Sequence, residues 1–503
     1  MTATTSNRTT HATDNAPAPY TGLDRLFISG RWIAGRSEHK VRPINPYSQT
    51  TIMEIPAANE QDIDDAYRTA KEAQVEWAKA LPSERSRVMQ RAVEIMEARR
   101  EEIVSWLIRE AGSPRTKAML EWQAAHDLMQ QAVAIPYQAE GHLLPSDIPG
   151  KESRVYRQPV GVVGVVSPWD FALHLANRSI APALALGNAV VQKPPSNTPI
   201  SGGLILAKIY EEAGLPAGVF SVVAGPAHEI GDVFVGHSIP RVITFTGSTK
   251  AGRHIGKQAM DSPVMKRVSL ELGGNSPLVV LDDADLELAV NAAVFGKFLN
   301  QGQICMSVNR LIVDRRVHDE FVDRFVHRVG NLKMGDPNDA DTVIGPIVDR
   351  SQLDSLMKHI QAAHQDGARQ RLGGDPDGLM LPPHIFVDVT NQMSVAREEL
   401  FGPVAPIIKV RDEAEALQVA NDTEYGLSSA VFTRDERRGL HFALQMEAGM
   451  THINDQTVND LPNAPFGGEK NSGIGRFGGS WAVAEFTTDR WVTVQRTPRT
   501  YAF

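Results

Sequence analysis

The sequence predicts an α/β protein built on two successive sheets with a small antiparallel flap, and three features carry that expectation. After Tyr156, short β-branched runs alternate with helical stretches, as strands of a parallel sheet buried on both faces do. A second set of such runs follows the first. Two outlying segments alternate in polarity instead, the pattern of antiparallel strands with one wet face.

Residues 1–20, rich in Thr, Ala, Asn and Pro without periodicity, read as a floppy tail, because they offer too little apolar surface to offset the entropy of ordering. Apolar residues then recur at helical spacing over Gln61–Ala80 and Ser83–Ala111 (Val88, Ala92, Ile95, Met96, Ile103, Leu107). Ser83 is the expected N-cap and Gly112 the stop of the second of these two long helices. The first strand set is Val160–Val166, Asn188–Gln192, Val219–Val223, Arg241–Gly247 and Arg267–Leu272. The second is Pro277–Leu281, Arg310–Asp314, Ala405–Val410, Ser429–Thr433 and Thr451–Asn454. Ser153–Gln158 and Arg490–Arg496 belong to neither set and are expected to form the flap, a contact for oligomers.

Composition narrows the function. With 503 residues, 42% hydrophobic and 22% charged, the chain has room for two or three globular domains. Its 51 basic and 60 acidic residues leave a formal charge of -9, which argues against nucleic acid or an anionic membrane as main partner. There is no apolar run long enough to span a bilayer and no h-region near the N-terminus, so a cytoplasmic location is expected.

Cys305 is the single cysteine, in NQGQICMSVNR, where Asn, Gln, Gly and Ser surround it rather than a uniformly apolar face. One thiol excludes an intramolecular disulfide and a multi-thiolate zinc site, and His228-Glu229 lacks the second His of a zincin helix, so no metal is expected. The residue reads either as a nucleophile or as a small buried hydrophobe, the commoner fate of a free cysteine.

Gly473, Gly475 and Gly478 match G-x-G-x-x-G, but neither the preceding strand nor the following βαβ unit of a dinucleotide site is there, so they are assigned to a tight loop. FTGSTKAGRHIG is the better phosphate candidate. Phe245 closes a strand, Gly247 turns the chain, and Ser248 opens a helix whose free N–H groups suit a pyrophosphate; the alternative is a plain strand-to-helix turn. Lys193 adds a cation at the carboxyl edge of the same sheet, and together they favour a nucleotide.

Glu271 in LELGGN, Cys305 in QGQICMS, EELFGPV (Glu398–Val404) and PFGGEKNSGIGR (Pro465–Arg476) occur in the order of the aldehyde dehydrogenase superfamily, which the chain resembles from about residue 25 to its C-terminus. SIAPALALGNAVV and HINDQTVNDLPNAPFGG are most similar to the bacterial branch acting on benzaldehyde, vanillin and related aryl aldehydes. The resemblance implies a Rossmann-like cofactor domain (21–139 and 160–274), a second α/β catalytic domain (275–483) and an oligomerisation segment (140–159 and 484–503). It implies that Cys305 forms a thiohemiacetal whose hydride passes to a nicotinamide, leaving a thioester, and that Glu271 activates the water that releases the acid.

It also places Trp169 and Lys193 near the adenosine ribose, Gly247 and Ser248 by the pyrophosphate, Glu399 on the nicotinamide ribose and Phe401 beside the ring. Where members strict for NAD often carry Glu, this chain has Ser196. That removes repulsion against a 2′-phosphate, so NADP is admitted beside NAD, the expected cofactor. Phe171, Leu175 and Phe466 are candidates for lining a substrate tunnel or, equally, for core packing. A small aldehyde and a homodimer or homotetramer are the expected partners.

One departure stands out. The family pattern Pro-Trp-Asn-Phe-Pro supplies an Asn N–H to the developing oxyanion, but SPWDFALHL has Asp170 there and Ala172 at the second Pro. An ionised Asp has no donor. Asp170 is then protonated and donating, turned away, or a cause of impairment, and the expectation is a slower enzyme. The rivals are a catalytically impaired cofactor-binding protein, a semialdehyde or aliphatic aldehyde dehydrogenase, and coenzyme A acylation, against which the retention of Glu271 argues.

Overall fold

The computed structural model describes residues 17–503, so most of the predicted tail lies outside the described residues. Its described end is tied down, contrary to the expectation for residues up to 20. The Tyr20 N–H donates to the Glu102 carboxylate at 2.7 Å, and the Arg99 guanidinium stacks 3.7 Å from the Tyr20 ring centroid.

Four helices open the fold: Glu60–Trp77, Pro82–Ala98, Arg100–Ala111 and Arg115–Ala132. The expected single helix over 83–111 breaks at Arg99 (φ -107°, ψ 18°), whose side chain reaches the Ala18 carbonyl, Glu102 and Glu212. Ser83 does not cap it. Pro82 already occupies the first helical position, Leu81 precedes it, and the Glu84 carboxylate accepts the Leu81 N–H at 2.8 Å. Gly112 does end the third helix, in the left-handed conformation (φ 64°).

An eight-stranded sheet runs, edge to edge, Gly473–Ile474, Arg267–Glu271, Val242–Thr246, Val162–Val166, Ala189–Lys193, Phe220–Val222, Leu26–Ile28 and Arg31–Ile33. Its five predicted strands are mutually parallel, and the additions at either edge are antiparallel. The second sheet has seven strands: Arg369–Leu372, His384–Val387, Val404–Val410, Arg310–Asp314, Pro277–Val280, Ser428–Phe432 and Met450–Ile453. All five predicted strands of the second set are in it. The flap pairs Lys151–Pro159 with Thr487–Gln495 over nine residue pairs and gains His142–Leu144 at its edge. The strands the sequence did not show have two to four residues each, too few for a period of two to be visible.

Gly473–Ile474 lies within the segment assigned to the catalytic unit, yet it pairs with Leu270–Glu271 of the first sheet. Gly473 makes this possible: with φ 150°, a Cβ there would sit 2.1 Å from the Leu270 carbonyl oxygen. The parallel strands of the first sheet share a direction, so Val166, Lys193, Thr246 and Glu271 all end at one carboxyl edge, the side on which open α/β sheets bind ligands. Among the described residues, no helix is long and apolar enough to cross a membrane.

Candidate active site

The Cys305 thiol donates to Glu271 Oε1 at 3.2 Å, both side chains buried. Glu271 is delivered by the end of its strand. Cys305 is delivered by a loop after the helix Leu286–Phe298, where Asn300 and Gln301 take positive φ (51° and 56°), a conformation that persists only when its surroundings enforce it. Side chains do so here: Gln301 donates to Pro346 O at 3.0 Å, Asn300 to Gln303 O at 3.1 Å, and Gln303 Oε1 accepts the Val348 N–H at 2.9 Å.

The polar residues around Cys305 in sequence therefore fasten the loop rather than bathe the sulfur. Cys305 itself packs among Phe171, Leu175, Ile304, Met306 and Phe466. Burial pushes its thiol well above the usual cysteine range; Asp170 and Glu399 push the same way, and Arg178 opposes them. The Gly273-Gly274 pair admits the neighbours: a Cβ on Gly274 would meet the Cys305 carbonyl at 2.3 Å, and one on Gly273 the Glu399 carboxylate at 2.4 Å.

A buried polar network stands behind Glu271. Arg178, on the helix Ala172–Ala185, is ion-paired with Glu271 and, at 3.2 Å, with Asp460. Its guanidinium lies 4.3 and 4.5 Å from the ring centroids of Phe466 and Phe477. His174 Nε2 is 2.8 Å from the same Asp460 oxygen, and the Thr246 hydroxyl donates to Glu271 at 3.2 Å. Burial works against ionised Asp460, but His174 and Arg178 hold it below the usual carboxylate range.

Asp170 is buried in the turn before that helix, and its carbonyl accepts from Lys117 Nζ and from Asn300 Nδ2 at 3.4 Å. Lys117 is itself paired with Glu121 at 2.5 Å, and Glu121 accepts the Leu173 N–H at 2.8 Å, which braces the start of the helix. Burial raises the Asp170 carboxyl to about 6, against the pull of Lys117.

Two cavities meet at Cys305. A cleft of about 440 Å³ is bordered by Trp169, Gly247, Ser248, Glu399, Phe401 and Cys305. Ser248 caps the helix Thr249–Asp261, its hydroxyl accepting the Ala251 N–H at 3.3 Å. Glu399 Oε1 accepts the Gly274 N–H at 2.9 Å, burial lifts this carboxyl to about 7, and Trp169 meets Phe401 edge to face at 5.3 Å. Lys193 and Ser196 stand just outside this wall, with Pro195 of the same turn on it; burial lowers the Lys193 amine to about 8. A helix start with free N–H groups, a half-buried carboxylate that can accept from hydroxyls and an aromatic pair along one cleft fit a dinucleotide's pyrophosphate, ribose and ring.

The second cavity, about 280 Å³, is bordered by Phe171, His174, Leu175, Met306, Asp460 and Cys305, and Asp170 borders both. Phe171 and Leu175 thus line the wall named for them, whereas Phe466 lies one layer behind it, on Arg178.

Residues 32–492 match the model of the aldehyde dehydrogenase family. The chain belongs to the aldehyde dehydrogenase family. It is 52% identical over 481 residues to a vanillin dehydrogenase of Corynebacterium glutamicum, covering 95% of this chain and 99% of the relative. It is 46% identical to a benzaldehyde dehydrogenase of Bacillus subtilis, over 96% of this chain and 99% of that one. The crystal structure of an NAD-dependent benzaldehyde dehydrogenase from Corynebacterium glutamicum superposes with a TM-score of 0.88 at 48% identity, over 96% of this chain and 98% of the other.

Within this aldehyde dehydrogenase site, sequence reasoning passed over Arg178, His174 and Asp460, together with Gln352, which borders the cleft and donates to Phe401 O at 2.9 Å. One signal was available. Arg178 is the only Lys, Arg, Asp or Glu in the wholly buried helix ALHLANRSIAPALA, and a charge buried there needs a partner.

Proposed function

We propose that this aldehyde dehydrogenase oxidises an aromatic aldehyde to its carboxylic acid with NAD, the Ser196 position admitting NADP. The carrying observation is that a single thiol borders both the cleft suited to a dinucleotide and a cavity walled by Phe171, Leu175 and Met306. Cys305 Sγ adds to the carbonyl carbon, its proton going to Glu271 Oε1 at 3.2 Å. A nicotinamide in the cleft would supply the hydride acceptor for the oxidation, which leaves the acyl group as a thioester on the Cys305 sulfur. Glu271, held by Arg178 and Thr246, releases that proton to solvent and, again a carboxylate, takes one from the water that attacks the thioester; the C–S bond breaks, the acid leaves, and the proton returns from Glu271 to the Cys305 sulfur. Glu399 and Phe401 would hold the nicotinamide end of the cofactor and Ser248 its phosphates; Trp169, in edge contact with Phe401, would stand nearer that end than the adenosine ribose at which the resemblance put it.

The aryl reading draws on the named activities of the relatives and on the flat apolar walls. An impaired cofactor-binding protein is not favoured, because the thiol and carboxylate are in contact and the similar proteins are dehydrogenases. We further propose a cytoplasmic homodimer or homotetramer. A thiol that must stay reduced suits a reducing compartment, and the flap exposes Leu143 and Trp491, at 82% and 69%, as a surface for a second copy.

The test is NADH formation with benzaldehyde, vanillin and a series of aliphatic aldehydes, in the parent and in Cys305→Ala. Turnover of aryl aldehydes that vanishes in the variant is expected. Turnover of aliphatic aldehydes alone, or undiminished activity without the thiol, would overturn the reading. Size-exclusion chromatography with light scattering checks the oligomer.

A further inference from the structure

We propose that Asp460, presented to the aldehyde cavity in front of Arg178, excludes anionic aldehydes, so that a substrate carrying a carboxylate besides its aldehyde is turned away while its uncharged isostere is oxidised. The proposal rests on the aryl-aldehyde reading above and deepens it by assigning a charge class to the substrate and naming the residue that enforces it. A semialdehyde ending in a carboxylate falls in the excluded class.

The cavity beyond Cys305 is walled largely by apolar side chains and by two carboxylates, Asp170 and Asp460; among the described residues no lysine or arginine borders it. Cations stand nearby but behind the wall. The Arg178 side chain is 1% exposed where that of Asp460 keeps 12%, so this ion pair turns its carboxylate to the cavity and its guanidinium inward, against Phe466 and Phe477. Lys117 is fully buried, 4.3 Å from the Phe171 ring centroid, and paired with Glu121.

The neutral donors on the wall are engaged as well. The Gln456 amide donates to Val458 O at 3.1 Å and to Asn459 Oδ1 at 3.3 Å, and the Asn459 amide to Gln456 O at 2.9 Å and to Asp455 at 3.2 Å, which uses all four amide hydrogens within one loop. His174 Nε2 lies 2.8 Å from Asp460 Oδ2, and its Nδ1 is buried. A carboxylate brought into this cavity sheds its water and finds no free side-chain donor in return.

Asp460 adds repulsion to that loss. Arg178, at 3.2 Å, and His174 both meet its Oδ2 and hold the carboxyl below the usual range, so it carries a full negative charge at neutral pH. Asp170, ionised above about 6, supplies a second negative charge where the cavity meets Cys305. Like charges several ångströms apart in such a medium oppose binding by about tenfold or more. An uncharged wall would penalise an anion and a cation alike, whereas a carboxylate on the wall sets the two signs apart. An uncharged ring meets neither cost.

The experiment compares kcat/KM at pH 8, with NAD and the full chain, for three isosteric aldehydes in their 3- and 4-substituted forms: formylbenzoate, formylbenzamide and formylbenzamidinium. In the parent the carboxylate is expected to fall at least about tenfold below the amide, and the amidinium not to fall below it. In Asp460→Asn the carboxylate-to-amide ratio is expected to rise by about tenfold, while Asp460→Glu, which keeps the charge, retains the parental ratio. Each ratio is taken within one protein, so a loss of rate from a loosened Arg178 and Glu271 cancels, and a merely structural role for Asp460 would leave the ratios unmoved. If the Asn variant does not fold, the difference between the two signs in the parent decides. Carboxylate and amide oxidised equally by the parent, anion and cation rejected alike, or a ratio unchanged in the Asn variant would overturn the proposal while leaving aryl-aldehyde oxidation standing. Oxidation of aliphatic aldehydes alone would overturn both.

Discussion

Arg178 is ion-paired with Glu271, the carboxylate that accepts the Cys305 thiol hydrogen, and neither charged side chain reaches solvent. The pair is strongly asymmetric in its consequences. Removing the cation leaves Glu271 buried without a counter-charge and Asp460 with His174 alone, and breaking a buried pair in this way costs about 3–5 kcal/mol. Arg178→Met is therefore expected to lower Tm and kcat together, while Arg178→Lys, which keeps charge but loses the planar fork, should lie between. Thermal melts beside steady-state kinetics check this, and a Met variant with parental kcat would show that Glu271 needs no clamp.

Asp170 sets a pH signature. Its carboxyl, raised by burial to about 6, is ionised above that value and protonated below it. Above pH 6 it opposes an oxyanion beside Cys305, and below pH 6 its O–H can donate. Asp170→Asn supplies a donor at every pH, so the variant should be faster by about 10²-fold at pH 8, the usual worth of one oxyanion donor. The advantage should shrink towards pH 5. A ratio of kcat/KM values that is flat across this range would mean that the carboxyl does not face the reacting oxygen.

Ser196 tests cofactor choice. Its hydroxyl makes only a long contact, 3.5 Å, with Gly225 O, so a larger acidic side chain displaces little. Ser196→Glu should depress kcat/KM for NADP by at least about tenfold, through repulsion of the 2′-phosphate, and spare NAD. Parallel titrations with the two cofactors read the ratio.

Lys297 reports on stability alone. It is buried on the helix Leu286–Phe298, Nζ has no hydrogen-bond partner, and burial lowers the amine to about 7. In the unfolded chain a lysine titrates at about 10.4. The folded state therefore binds fewer protons between these values, and the penalty is full below pH 7, falls as pH rises and vanishes above about 10.4. Lys297→Met, similar in shape, should gain on the order of 4 kcal/mol near pH 7 and little at pH 10. Chemical denaturation at the two pH values measures it, and an equal gain at both would point to packing instead of charge.

Much of this molecule could be read linearly. The Val- and Ile-rich runs became strands of the two sheets, Ser248 capped its helix, and Gly112 ended one. Arg99 shows where linear reading ran out: apolar periodicity continued across it, and the break came from partners at Ala18 and Glu212, distant in sequence. Phe466 was legible as an aromatic near the site but not as the platform beneath Arg178.

By itself the sequence determined the longer strands and most helices, the motif around Cys305, the Asp in SPWDFALHL and the family, because burial periodicity, caps and turn residues act over a few neighbouring residues. Only the tertiary structure decided what Glu271 and His174 touch. Arg178 and His174 meet Asp460 across 282 and 286 residues of chain, and no local pattern records a partner chosen by the packing of two sheets. The same packing turned a cysteine with polar neighbours in sequence into a thiol among apolar side chains, since those neighbours' hydrogen bonds go to the loop that carries it.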